Sequence, residues 1–584
     1  MRMTIIMRFA RVFGFIVSLS FCISIHASEE VTFPINIQGL EYQVIVSENK
    51  QLASKIFGID EAAGKHYVGI VSDEENSWVR ASLVGDRWQG VVSIHNAMHM
   101  FEQDVSGVIG ALSAMSSMES TPMAEVEGLA GTCGSGDGSH SMLDHIGKKA
   151  VMSGASSSSL IPVIAAATFA EFCSQEVNGI CVIAEVEIAF DLVFQAVFGA
   201  QATAQALSIL NIVDGHYLND LKISIDAITI EMLANDLFDT SVAASPVLDA
   251  GDLLTNIETK KNNAQIPFIT NNSALTHLVT GRDFNGGTLG VAYLGSVCQA
   301  NGFSTGTSSI FFTDPTDPTT PNIPLTAVVV AHELAHNLGS DHDGPGANVL
   351  CPSSTFFMSP IIDPAFNLNG FSSCSVADIE ATLSSLVNPE QCLDFPADVL
   401  ITEDEGNSGA LDVNLEFPSS YTVTLRNGFL AVDRVDLNGS VNLAEGMFVN
   451  VTANGNNCAV AAGGATYTCT VMNPPASFKV VASVRADVTA TNVNITQTVN
   501  EQTADVQEVN AINNTLMSPF SIMDGNVVSN TPVTTPPPSG GNPTSTNTNN
   551  VAEEEGGGGS IGLGLVFMMF LAFIFRQYHF FIRK

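Results

Sequence analysis

The sequence predicts an α/β protein with β-rich regions on both sides of its central fold, and three observations carry that expectation. In the centre, "EVEIAFDLVF" (185–194) and "LNDLKISIDAITI" (218–230) read as strands rich in Val and Ile with a helix-like stretch between them. Upstream, "HYVGIVSDEENSWVRASLVGDRWQGVVSIH" (66–95) alternates apolar and polar residues as strands do. Downstream, "YTVTLRN" (421–427), "TYTCTV" (466–471) and "FKVVASVRADV" (478–488) alternate likewise, with no good long helix from 397 to about 520.

Residues 1–27 carry Arg2, Arg8 and Arg11, then "VFGFIVSLSFCISI", then "HAS", the layout of a secretory signal peptide. Export permits disulfides. The 584-residue chain has room for three or four domains and carries a net charge of −38 with 21 Lys plus Arg. No basic surface is available to neutralise phosphates, so nucleic acid is excluded as a partner.

Residues 28–153 hold the first β-rich region and end in glycine-rich sequence, "GLAGTCGSGDG" (128–138), around Cys133. Lys148 and Lys149 follow in a stretch that reads as an exposed linker, a candidate place for processing.

The central region, 154–396, contains "HELAHNLGSDHD" (332–343), with three of the chain's 12 histidines. On a helix, His332 and His336 share one face a turn apart, so two imidazoles can grip one ion. A catalytic zinc site takes three protein ligands and leaves a fourth position to water. His342 can be the third if the chain turns back after His336, and Gly339 sits where that turn would fall, since glycine reaches positive φ without a Cβ clash. Glu333, beside a ligand without being one, can take the proton of a water whose pKa zinc has lowered to about 7. Six fixed positions in HExxHxxGxxHD arise by chance in a chain this long on the order of once in a million. Histidines closing an ordinary buried helix are the blander alternative, and that rarity outweighs it.

The string resembles the zinc site of the metzincin peptidases, and Asp343 after the third histidine is the mark of their reprolysin branch (adamalysins, ADAM and ADAM-TS). "TGRDFNGGTLGVAYLGSVC" (280–298), "FFMSP" with Met358 at the place of the family's Met-turn, "FSSCSVADIE" (371–380) and "CLDF" (392–395) extend the resemblance over most of 155–396. It implies a twisted mixed sheet packed on helices, zinc in a cleft, and supporting roles for Gly339, Met358 and Asp343. Residues 66–95 resemble reprolysin propeptides, which makes 28–153 a prosegment. The resemblance pairs Cys298 with Cys392 and Cys351 with Cys374, while proximity alone pairs Cys173 with Cys181 and Cys458 with Cys469. Of ten cysteines, removal of Cys22 with the signal leaves nine, so Cys133 is left over. Two readings stand for it: a thiolate that fills the fourth zinc position in the zymogen, and a free or differently paired thiol. Where the family's structural calcium takes an asparagine, this chain has Phe395, and "NNSALTHLVTG" (271–281) offers no aspartate, which argues against calcium there. Disintegrin and cysteine-rich segments are absent, since only Cys458 and Cys469 follow Cys392.

Residues 397–525 suit a β-sandwich and resemble the immunoglobulin-like modules of bacterial surface proteins, in the role of a stalk or of a surface-binding accessory. "TPVTTPPPSGGNPTSTNTNN" (531–550) has nothing to bury and reads as an extended linker within 526–555. In 556–584 a glycine-rich spacer precedes an apolar run from Ile561 closed by Arg583 and Lys584, short for a stable span of about 20 residues. This tail resembles the Gly-Gly sorting tags of Gram-negative bacteria, removed by an intramembrane protease. A permanent anchor is the other reading.

The expected protein is an exported bacterial zinc metalloendopeptidase made as a zymogen, acting on extracellular proteins and tied to a membrane at least transiently by its tail. A surface adhesin using the same scaffold without catalysis is the rival. It is disfavoured because Glu333 and all three histidines are present.

Overall fold

The computed structural model describes residues 30–49, 52, 64–95, 97–104, 118–122, 131–133, 168–240, 248–269, 273–299, 303–313, 320–344, 348–362, 369–404, 416–486, 492–523 and 526–529. The chain divides into two units, Met1–Pro532 and Val533–Lys584, and the description concerns the first. The expected signal peptide (1–27), Lys148 and Lys149, most of the linker and the apolar tail lie outside the described residues.

The upstream alternation folds as a closed barrel of strands β1 (Val31–Ile37), β2 (Leu40–Glu48), β3 (Lys65–Val71), β4 (Trp78–Val84), β5 (Arg87–Ile94), β6 (Ala97–Asp104) and β7 (Met118–Pro122). Neighbours are antiparallel, and β1 closes on β7 in parallel with Ile35 opposite Met118. Phe33, Tyr67, Trp88 and Phe101 fill the interior, the apolar half of each alternating strand. The chain then forms β8 (Gly131–Cys133) inside the glycine-rich sequence. Those three residues pair with two other strand edges, because unpaired backbone groups of an edge template added strand.

The central sheet runs β10 (Ile223–Met232), β9 (Val182–Phe190), β11 (Leu275–Thr280), β13 (Thr305–Ser309), β12 (Thr288–Ala292). All are parallel to their neighbours except β12, which is antiparallel to β13. The expected strand at 185–194 stops at Phe190 because the Asp191 carboxylate accepts the Phe194 N–H and caps a helix, α2 (Leu192–Phe198), that follows the short α1 (Phe169–Phe172). The helix-like stretch is α3 (Ala202–Leu221), ended by Lys222 at φ 59°, so the strand at 218–230 begins only at Ile223. Then come α4 (Ala250–Asn262), α5 (Ile323–Asn337), β14 (Ile361–Ile362) and α6 (Ser373–Ser384). Every residue of α5 is buried, as suits a helix apolar on nearly all sides. Asn322 caps it by accepting the Leu325 N–H.

The boundary expected at 396–397 falls inside one strand. β15 (Leu393–Glu403) pairs with β9 through Leu393 and Asp394, then with β16 (Glu416–Asn427) from Ala397 onward. The downstream region is two packed sheets. One holds β15, β16, strand Ser477–Ala486 and β18 (Gly446–Ala453); the other holds strand Thr466–Met472, β17 (Arg434–Val441) and strands Asn492–Glu501, Thr515–Met523 and Asn526–Ser529. Tyr421, Tyr467, Phe448 and Val499 lie buried between them. All four expected disulfides are present, Cys173–Cys181, Cys298–Cys392, Cys351–Cys374 and Cys458–Cys469.

Candidate metal centre

The three histidines of the string meet. Their Nε2 atoms are 3.0 Å apart for His332 and His336, 3.2 Å for His332 and His342, and 3.1 Å for His336 and His342. Nitrogen ligands about 2.0–2.1 Å from a tetrahedral zinc stand about 3.3 Å apart, so the triangle fits that ion. Two rings are held from behind. His332 Nδ1 lies 2.5 Å from the carbonyl oxygen of Phe357, and His336 Nδ1 lies 2.8 Å from that of Ser340. A carbonyl only accepts, so each Nδ1 keeps the proton and each Nε2 presents its lone pair inward. Burial lowers the pKa of all three imidazoles, His342 to about 3, which keeps them neutral as a metal requires.

The turn that delivers His342 is a Schellman closure. The Gly339 N–H donates to the carbonyl of His336, and the Ser340 N–H to that of Ala335. Gly339 has φ +108°, and a Cβ there would stand 1.9 Å from Thr382 Oγ1. Asp343 is buried; its Oδ1 accepts from Ser372 Oγ at 2.6 Å, and its N–H donates to the Met358 carbonyl at 2.7 Å. Burial raises its pKa, opposed by the Ser372 bond. Met358 is fully buried beside Phe357, so one turn of chain carries both the His332 acceptor and the Asp343 acceptor. Asp343 also approaches Cys351 and Cys374, but their disulfide closes that cluster to metal.

Glu333 is fully buried on α5. Opposite it stands β12, where a Cβ on Gly290 would lie 2.6 Å from the carboxylate Oε1. Behind α5, Tyr217 of α3 donates its hydroxyl to the Ala331 carbonyl at 2.7 Å, and burial together with the Glu333 charge raises its pKa. Cys133 is brought to this wall by its backbone: in β8 it pairs with Gly290, while Thr132 pairs with Ile361 of β14. Sequence reasoning missed Gly290, Tyr217 and the carbonyls of Phe357 and Ser340. Only Gly290 carried a signal, a glycine inside a strand, which marks a close backbone approach.

Residues 199–385 match the Reprolysin-like model of metallo-peptidase family M12B. The chain is 34% identical over 176 residues to the zinc metalloproteinase-disintegrin-like kaouthiagin-like of Naja atra, covering 30% of this chain and 26% of that protein. It is 36% identical over 121 residues to brevilysin H2a, a zinc metalloproteinase-disintegrin-like protein of Gloydius brevicauda, covering 21% and 26%. The solved metalloproteinase-II of Bacteroides fragilis overlaps 61% of this chain and 91% of its own at 11% identity and a TM-score of 0.34, too low to argue from. The chain thus spans about a quarter of the length of these curated relatives, and within it the segment around the histidine triad is similar to the reprolysin-like zinc metallopeptidases of family M12B.

Proposed function

We propose that the chain is an exported zinc metalloendopeptidase that hydrolyses peptide bonds of extracellular proteins. The convergence of three imidazole Nε2 atoms within 3.2 Å of one another, on a helix that also carries buried Glu333, is the observation that supports this most. When bound, zinc supplies Lewis acidity, lowering the pKa of water to about 7 and drawing charge from a carbonyl oxygen. His332, His336 and His342 would hold it, the first two rings oriented by the carbonyls of Phe357 and Ser340. Glu333 takes the proton of the attacking water and returns it to the leaving amine. Gly290 leaves the space that carboxylate needs.

Residues 28–153 act in this reading as a removable cover, with Cys133 as the thiolate that takes the fourth zinc position. The backbone pairing of Cys133 with Gly290 supports it. Cys133→Ser in the unprocessed chain is expected to raise basal hydrolysis; an unchanged rate means a free or differently paired thiol. Four disulfides agree with an oxidising compartment outside the cytoplasm, and the apolar tail with sorting at the surface of a Gram-negative cell.

The test compares casein or gelatin cleavage by the exported protein freed of its cover with that of Glu333→Ala at equal zinc content. A loss of roughly 10²–10⁴-fold assigns Glu333 as the base. Equal inactivity of two folded, zinc-loaded proteins moves the weight to the adhesin.

A further inference from the structure

The barrel sits on α3 through a polar clamp. Arg80 of β4 donates Nε to the Asn211 carbonyl at 3.0 Å and Nη2 to Asp214 Oδ2 at 2.9 Å. Gln89 donates to Gln205, and Asn49 donates to the Asn211 side chain, whose own amide reaches the carbonyls of Tyr67 and Ala81. Gly215 permits the approach, since a Cβ there would meet Arg80 Cγ at 2.6 Å and Trp78 at 3.1 Å.

One contact in this seat is built against itself. His216 is buried between Trp78 of the barrel, ring centroids 5.2 Å apart, and Phe357, 4.5 Å away, both edge-on. Neither of its ring nitrogens has a hydrogen-bond partner among the described residues, and neither has the Trp78 indole N–H. Buried polar groups of this kind lose the water they would otherwise bind. Lifting the barrel would return that water to both residues. The charged and titratable groups nearby are Arg80 on the barrel, Asp214, Tyr217 and Asp220 on α3, and Glu333 on α5 beyond Tyr217; the Arg80 charge opposes a proton on His216.

We propose that the seat of the barrel on α3 is made to come apart on mild acidification, with His216 as the group that releases it. The inference rests on reading residues 28–153 as a cover. The sign follows from the proton balance. Docked, burial and then Arg80 lower the His216 pKa to about 3; released, it returns to its ordinary value, so release takes up a proton and acid favours it. With a free value of about 6.5, the docking constant falls about 30-fold from pH 7.5 to 5.0. A barrel off α3 takes Trp78 away from His216, whose ring also packs against Phe357, the residue whose carbonyl orients His332.

The intact chain carrying Glu333→Ala, which prevents self-processing, offers a readout independent of peptidase activity. Its two tryptophans are Trp78 at the seat and Trp88 in the barrel interior. Trp78 emission should shift to the red between pH 7.5 and 5.0, accompanied by lower amide-exchange protection over residues 205–217 once the intrinsic pH dependence of exchange is divided out. His216→Phe, which keeps an aromatic ring and removes the unpaired nitrogens, should stay docked throughout, and Gly215→Leu should show released emission already at pH 7.5. The proposal is overturned by equal shifts in parent and His216→Phe, by no shift in the parent, by His216→Phe released at neutral pH, or by an emission shift without loss of pH-corrected protection.

Discussion

A Cβ on Gly290 would lie 2.6 Å from Oε1 of Glu333, so the strand that walls the metal site and the carboxylate on α5 are fitted to each other at a residue with no side chain. Gly290→Ala must displace Glu333 or bend β12. Hydrolysis should fall about 100-fold, the cost of misplacing a catalytic group by about an ångström. Zinc content, set by His332, His336 and His342, should hold. Metal analysis beside turnover checks this, and a variant that keeps full activity removes Glu333 from the base role in its present rotamer.

Gly339→Ala is expected to damage the ligand set itself. The residue has φ +108°, and the new Cβ would collide with Thr382 Oγ1. Backbone strain of this kind costs about 1–3 kcal/mol before the clash is counted. Since this turn sets the place of His342, the variant should melt earlier and lose zinc to a weak chelator that leaves the parent loaded. Thr382→Gly should restore part of the stability, because it relieves the collision but not the dihedral.

Asp220 makes the stability of this back wall depend on pH. Its Oδ2 accepts the Phe371 N–H at 2.8 Å, while burial raises its pKa from 3.8 to about 6. A carboxyl with a raised folded value favours the fold fully below its unfolded pKa, and that contribution is lost as pH rises through about 6. Asp220→Asn should therefore stabilise the protein at pH 8 by about 2 kcal/mol, the ionisation cost less one weakened hydrogen bond. The gain should vanish below pH of about 4, which denaturant titrations at both pH values will read.

Phe429, in the bend that follows β16, stands 5.0 Å from both Phe172 and Phe395, which belong to the central core. With β15 shared by both regions, the central fold and the sandwich should melt as one. Phe429→Ala should cost about 3 kcal/mol and shift a single calorimetric transition. Two transitions, with only one moved, would leave the downstream region as an independent stalk.

Local spacing made the donor set legible: the four-position step from His332 to His336 is about one helical turn, and Gly339 could be read as the stop that bends His342 back. The same holds for the alternating strands and for the pairs Cys173–Cys181 and Cys458–Cys469, whereas Cys298–Cys392 and Cys351–Cys374 were expected from the family resemblance. The β15 crossing at residue 396 was not legible, because a strand continues through a domain boundary with no change in its own pattern. Nor was β8, whose three residues become strand only when two edges flank them.

The sequence by itself determined which atoms could bind zinc and which carboxylate could move a proton, because those residues lie within one turn and one helix stop of each other. The tertiary structure alone decided how they are held. The Phe357 carbonyl that orients His332 is 25 residues away in the chain, Gly290 and Tyr217 come from a strand and a helix far upstream, and His216 gains its place only when the barrel closes over α3. Orientation of a ligand depends on acceptors and space supplied by packing, and packing between distant segments leaves no periodic trace in either one.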